Sequence, residues 1–264
     1  MANYCHNYFS KIGIDMATKI NSVDDFLIRY PPLINSMALN PVNKNELIEH
    51  INLLKNNSAP GIDGITSRML KNDHRYIIEP LMHIINLIFT TGKIPEELKI
   101  SIINPVFKNG SKKDVSNYRP ISLITNFAKM FEKCLKKRLY EYLIDKKILN
   151  VKQFGFQKGI STCDAMYELI FNIKNSLENE NKNISIFIDL AKAFDTVPHK
   201  QLLNVLEHYG IRGLVLKIFE NYLHERTQIV KIRNEFSNPV KIQIGVPHEL
   251  SLVQFFLSSI LTLF

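Results

Sequence analysis

Asp189 closes the apolar, β-branched run Ile184-Ser185-Ile186-Phe187-Ile188, and Phe194 and Asp195 follow in the same stretch. A strand that apolar can be buried on both faces, while a carboxylate at its end is rigidly held and still reaches the open edge of a sheet. Such placement suits a ligand for a divalent metal, because Mg²⁺ demands near-octahedral oxygen geometry. On this stretch alone, a plain cap for the following turn is an equal reading of Asp189. Upstream, Lys108 and Arg119 flank a polar loop. Arginine offers phosphate oxygens a bidentate fork, and lysine a mobile point charge. By themselves these two are solvated loop charges, and Phe194 by itself is a core phenylalanine.

The elements that must position these residues follow from periodicity. Asn43 and Glu46 have capping-box spacing, and Leu47, Ile48, Ile51 and Leu54 then share a helical face, predicting a helix from about Lys44 to Lys55. Pro60, Gly61 and Gly64 make a turn-rich loop whose spacing matches no P-loop. "YIIEPLMHIINLIFTTG" reads as a buried helix closed by Gly92, and "SIINPVFK" as a short strand that Pro105 pushes toward a sheet edge. A polar loop, "NGSKKDVSNYRPIS", follows. Phe127 to Leu143 keep a helical period with Lys133, Lys136, Lys137 and Arg138 among them, a basic amphipathic helix. Further helices are predicted over Asp164 to Leu177, after Pro198 to Gly210, and over Leu214 to Leu223. "TQIVKI" and "VKIQIGV" alternate around Asn238 and Pro239 as a hairpin. Helices first, then strands interleaved with helices and no repeat, predict an α+β chain; residues 1 to about 41 read as an irregular lead-in or linker.

Composition bounds the partners. Lys and Arg outnumber Asp and Glu by 33 to 25 in 264 residues, a net charge of +8, which favours polyanions without naming one. Cys5, Cys134 and Cys163 are far apart and suggest neither a disulfide framework nor a zinc site, which fits an intracellular, reducing compartment. The segment Leu250 to Phe264 is the most apolar, yet it is too short for a membrane helix of about 20 residues, so no membrane partner is expected.

Five ordered blocks, "APGIDGI", "NPVFKNGSKKDVSNYRPISLI", "QFGFQKGIST", "IDLAKAFD" and "IGVP", together resemble the reverse transcriptase domain of non-LTR retrotransposons, especially the jockey-like insect group. The resemblance implies a right-hand polymerase fold, with fingers over about 42–180 and a partial palm over 181–264, the thumb being absent. It implies Asp189 as the carboxylate that binds catalytic Mg²⁺, Lys108 and Arg119 as the clasp on a deoxynucleoside triphosphate, and Phe194 as the aromatic that rejects a 2′ hydroxyl. An RNA template and a DNA primer are the implied partners. Asp195 matches an acidic position of the family but reads better as ordering the turn before Pro198. Where such domains continue "GVP" with Gln-Gly-Ser, this chain has His248, Glu249 and Leu250, and no Tyr/Phe-Ala-Asp-Asp hairpin occurs in the sequence. The expectation is therefore a truncated polymerase fragment that is inactive on its own. The alternative is a non-catalytic nucleic-acid-binding module made from the fingers, using the basic cluster Lys133 to Arg138.

Overall fold

The computed structural model describes residues 2–17, 32–149, 152–155, 157, 159–189 and 192–246. Its main core is built by helices. In α2 (Lys44–Asn52) Asn43 caps the first turn, its Oδ1 accepting from the Glu46 amide at 2.9 Å. Thr66 caps α3 (Ser67–Thr91), which closes on Gly92 at φ 72°, the left-handed region that a Cβ disfavours. Thr125 caps α4 (Asn126–Asp145), whose buried face includes Phe131, Cys134, Leu135 and Leu139. These residues share one cluster with Leu47 and Ile51 of α2, Ile85 and Ile88 of α3, and Ile218 and Phe219 of α7 (Gly213–Leu223). The periodicity that predicts the helices thus also selects the residues they bury.

A small sheet packs beside this core, with strand order β2-β1-β3-β4 and β5 added to β3. Its strands are β1 (Ile100–Phe107), β2 (Tyr118–Leu123), β3 (Thr227–Ile232), β4 (Glu235–Phe236) and β5 (Val240–Lys241). β1 lies antiparallel to β2 and parallel to β3, so the chain from β2 to β3 forms the crossover. The sheet and helices together make a mixed α/β structure. β1 is interior rather than at the edge that Pro105 predicts. Its pairing with β3 ends at Ile103, and Pro105 faces Pro120 of β2, so neither proline is asked for an amide in the β1–β3 ladder.

Three further differences come from partners remote in the chain. Residues 118–123 are a strand and not loop, because β1 supplies the ladder that their sequence does not advertise. The hairpin after β3 turns at Arg233 into β4, and β5 then pairs with the other end of β3. Residues 2–17, read as irregular, form helix α1 (Ala2–Ala17), whose Cys5 and Phe9 pack with Ile103, Val115 and Val230. Weak periodicity suffices there because a sheet face covers the apolar side.

The segment that ends in Asp189 corrects the sequence reading most. Residues 181–189 form no strand, and Ile184, Ile186, Phe187 and Ile188 are each more than four-fifths exposed. A strand needs a partner for its amides, and none of the described strands pairs with this segment. The preceding helix, α5 (Thr162–Glu178), has no buried residue, although its predicted extent holds and Ser161 and Asp164 form a capping box. Helix α6 (His199–His208) ends before Gly210 at φ 82° as predicted.

Candidate functional site

The β1–β2 hairpin positions Lys108 and Arg119. Arg119 lies opposite Val106 in the register, and Lys108 follows Phe107 with its amide donating to the Asn117 carbonyl at 2.8 Å. Side chains alternate along a strand, so Val106, Lys108 and Arg119 share one face of the hairpin. Both cations are exposed, and neither makes an ion pair among the described residues. The structure therefore brings these two predicted residues together and leaves their charges open to solvent.

Phe194 and Asp195 sit in a turn at residues 192–196, where the Asp195 amide donates to the Lys192 carbonyl at 2.9 Å. The turn is the one expected before Pro198. Phe194 is half-buried and packs against the main core. The block "IGVP" is laced to this turn: the Gly245 amide donates to Val197 at 3.0 Å and the Val246 amide to Phe194 at 2.8 Å. Gly245 has φ +88°, and a Cβ there would stand 2.7 Å from the Asp195 carbonyl oxygen. The neighbouring imidazole of His199 contacts the Gly245 carbonyl at 2.8 Å, and burial pushes its pKa down. A similar close approach explains "APGIDGI". A Cβ on Gly61 would meet the Thr125 amide nitrogen at 2.5 Å, and the Asn126 amide group donates to the Ile65 carbonyl at 2.7 Å. Blocks far apart in sequence are thus pairs in contact, a signal that spacing alone does not carry. Within "QFGF", Gly155 has open space around it, and Phe156 lies outside the described residues.

Asp189 is exposed and has no hydrogen bond or ion pair among the described residues. No such contact joins it to Lys108, Arg119 or Phe194. Among the described residues, the cluster of three or more groups able to hold a metal is Glu46, His50 and Cys134, far from this segment in sequence. A lone exposed carboxylate supplies one of the several oxygens a hard cation needs, so the described residues by themselves do not fit a magnesium centre. The buried trio does not fit one either. Arg138 donates to Glu46 Oε1 at 2.7 Å and to Oε2 at 3.1 Å, occupying both oxygens. Burial, with the Glu46 charge adding to it, pushes the Cys134 thiol up to about 12, so it stays protonated.

The same contacts correct the basic-helix reading. Arg138 is buried, held also by the carbonyls of Cys134 and Pro41, and its guanidinium lies 5.1 Å from the Phe89 ring centre. Lys133 donates to the His50 carbonyl at 3.3 Å, and burial pushes the pKa of Lys133 and of Lys136 down. Of the four cations in the cluster, Lys137 alone is exposed. Of that cationic face, Arg138 is withdrawn into the core, Lys133 and Lys136 are half-buried, and Lys137 faces solvent.

Residues 110–262 match the family model described as "Reverse transcriptase (RNA-dependent DNA polymerase)". The chain belongs to the reverse transcriptase family. It is 30% identical over 223 residues to the probable RNA-directed DNA polymerase from transposon BS of Drosophila melanogaster, covering 82% of this chain and 24% of that protein. It is 27% identical over 247 residues to the RNA-directed DNA polymerase from mobile element jockey of the same fly, covering 93% of this chain and 27% of that protein. A 28% identity over 212 residues relates it to the probable RNA-directed DNA polymerase from transposon X-element. The chain thus spans about a quarter of the length of these curated relatives, which are named for jockey and other transposons. Reverse transcriptases generally use divalent metal ions, and their substrates are nucleotides and an RNA template. No described helix is long and apolar enough to cross a membrane.

Proposed function

We propose that this chain carries the nucleotide-clasping fingers, over about 42–180, and the first part of the palm of a right-hand reverse transcriptase. In this reading Lys108 and Arg119 hold the triphosphate of an incoming deoxynucleotide, Phe194 stands against its sugar, and Asp189 contributes one carboxylate ligand for Mg²⁺. The observation that carries it is the shared face of Lys108 and Arg119 on one hairpin, with both charges unpaired. An unpaired lysine and an unpaired arginine on adjacent strands give a phosphate chain a point charge beside a bidentate fork. Phe194 packs against the core and its carbonyl accepts from the Val246 amide, the kind of support a steric filter requires.

Binding of a fluorescent deoxynucleoside triphosphate tests the clasp. Lys108→Ala and Arg119→Ala are each expected to weaken it roughly tenfold or more, the loss of a charge-assisted contact. Unchanged affinity in both variants removes the clasp. The chain by itself is expected not to extend a primer on an RNA template with Mg²⁺ or Mn²⁺, since its sequence holds no Ala-Asp-Asp hairpin. Extension above background that is lost in Asp189→Ala contradicts this expectation.

A further inference from the structure

The Ile242 amide donates to the Arg226 carbonyl at 2.8 Å, which extends the β3–β5 ladder by one residue. Arg226 and Gln228, two residues apart, therefore share one face of the sheet. In the parallel ladder Gln228 stands opposite Ser101 of β1, and Ile103, two residues on, faces Ser122 of β2. Helix α1 covers that face. Its Phe9 packs with Ile103 and Val230, and its approach leaves no room for a Cβ on Gly13 against the Asp195 carbonyl oxygen. Between helix and sheet lies a cavity of about 50 Å³, which Arg226, Gln228, Ser101, Ser122 and Phe9 help to line.

Arg226 is only 3% exposed, yet its Nη1 and Nη2 have no hydrogen-bond partner among the described residues, and neither does the buried Nε2 of Gln228. The acids nearby are turned to other tasks. Glu225 is exposed and pairs with Lys241 at 2.6 Å, and the Glu132 carboxylate accepts from the Tyr222 hydroxyl. No carboxylate of the described residues, Asp195 in the cavity wall included, forms an ion pair with Arg226. The guanidinium lies 4.5 Å from the Tyr222 ring centre, a contact that eases its charge without neutralising it. Arginine cannot shed its proton, so burial leaves it charged, and an unbalanced charge inside a protein is strongly unfavourable. Donors without acceptors and a charge without a counter-charge, gathered at one cavity, call for an anion.

We propose that this cavity binds one small monovalent inorganic anion of the chloride class, held by the Arg226 guanidinium and the Gln228 amide beneath α1. Charge and size set the class. One guanidinium balances one negative charge, whereas a phosphate dianion would leave a net charge buried. A cavity of about 50 Å³ is also several-fold smaller than the ~300–1,000 Å³ of small-molecule sites, which excludes a nucleotide. The site uses none of Lys108, Arg119 and Asp189, so its failure leaves the nucleotide clasp as it stands.

Thermal melts of the chain in chloride and in gluconate, an anion too large for the cavity, at matched ionic strength test the site. Above the dissociation constant, each tenfold rise in chloride should raise the melting temperature by roughly 3–5 °C, the linkage expected of a ligand that binds only the folded chain. Gln228→Glu places a carboxylate beside Arg226; it should abolish the chloride dependence and be at least as stable in gluconate as the parent. Arg226→Met should also be insensitive to chloride and no less stable than the parent in gluconate, because an apolar side chain replaces an unbalanced buried cation. Lys200→Gln with Lys217→Gln, exposed charges on α6 and α7, should keep the full dependence. Broadening of the chloride NMR line reports the binding directly and should be lost in both cavity variants. The proposal is overturned by a parent indifferent to chloride, or by equal chloride dependence in the parent, Gln228→Glu and Arg226→Met. A dependence that appears only in Glu249→Gln overturns it as well, since a carboxylate of the chain then balances Arg226.

Discussion

Two neighbouring parts of this chain have similar apolar content and opposite fates. In the α2–α3–α4–α7 unit, Leu47, Ile51, Phe131, Leu135 and Ile218 are completely or almost completely buried. In the region from α5 to Asp189, Tyr167, Ile170, Phe171, Ile186 and Phe187 all stand more than half exposed. Composition does not separate the two. The first unit holds several amphipathic helices whose apolar stripes cover one another, whereas the second presents one stripe and one extended apolar run with no described element against them. Burial, not hydrophobicity, stabilises a fold, because transfer from water is the source of the energy.

Hydrogen exchange gives the largest contrast and the most direct way to break the comparison. Amides of residues 182–189, outside any helix or strand, should exchange without protection, while those of α4 exchange only on global opening, a difference of roughly 5–15 kcal/mol in opening free energy. Equal protection in the two regions would dissolve the distinction. Next comes the ion pair that joins α2 to α4. Arg138→Ala leaves the buried Glu46 carboxylate unpaired and should cost about 3–5 kcal/mol in a denaturant melt. Its pH dependence has a defined sign. Burial raises the Glu46 pKa, but the hydrogen bonds and charge of Arg138, with Lys137 and His50 adding to them, outweigh it and leave the carboxyl below its ordinary 4.5. The stability from this pair is therefore complete above 4.5 and is lost as pH falls through the depressed value. The Arg138→Ala variant should lack that acid limb.

Packing offers a finer comparison. Leu135→Ala should destabilise by about 2–5 kcal/mol through transfer and cavity terms. Ile186→Ala, the removal of a comparably sized side chain from an exposed position, should change stability by no more than ~0.5 kcal/mol. Similar costs for both would mean that residue 186 is covered. The smallest expected effect belongs to Asp189→Asn. An exposed carboxylate without a hydrogen bond or ion pair contributes little to folding, and matched melts of the two proteins should coincide. A clear loss of stability would reveal a structural partner for Asp189.

Local rules were enough for the helices after α1. Asn43, Gly92 and Gly210 mark helix boundaries by chemistry that acts within one or two turns, and the 3.6-residue period picks out the buried faces of α2, α4, α6 and α7. The chemical candidates were legible for the same reason, since a lysine and an arginine around a polar loop, and a carboxylate after an apolar run, are features of residue type and order. What the sequence concealed depends on partners remote in the chain. The strand at 118–123 exists because β1 completes its ladder, and α1 exists because the sheet face at Ile103 and Val230 covers it.

The sequence by itself determined the family, the helical framework and the identities of Lys108, Arg119, Phe194 and Asp189 as candidates. Tertiary structure alone decided which charges are available. Lys133, Lys136 and Arg138 read as a cationic surface, yet a carboxylate on α2 takes Arg138 out of solvent and the surrounding side chains half-cover Lys133 and Lys136. Lys231 and Arg233 carry no motif, yet the parallel pairing of β1 with β3 sets them beside Lys112 and Lys113. A charge's reach is a matter of angstroms in space, and the sequence gives only its order along the chain.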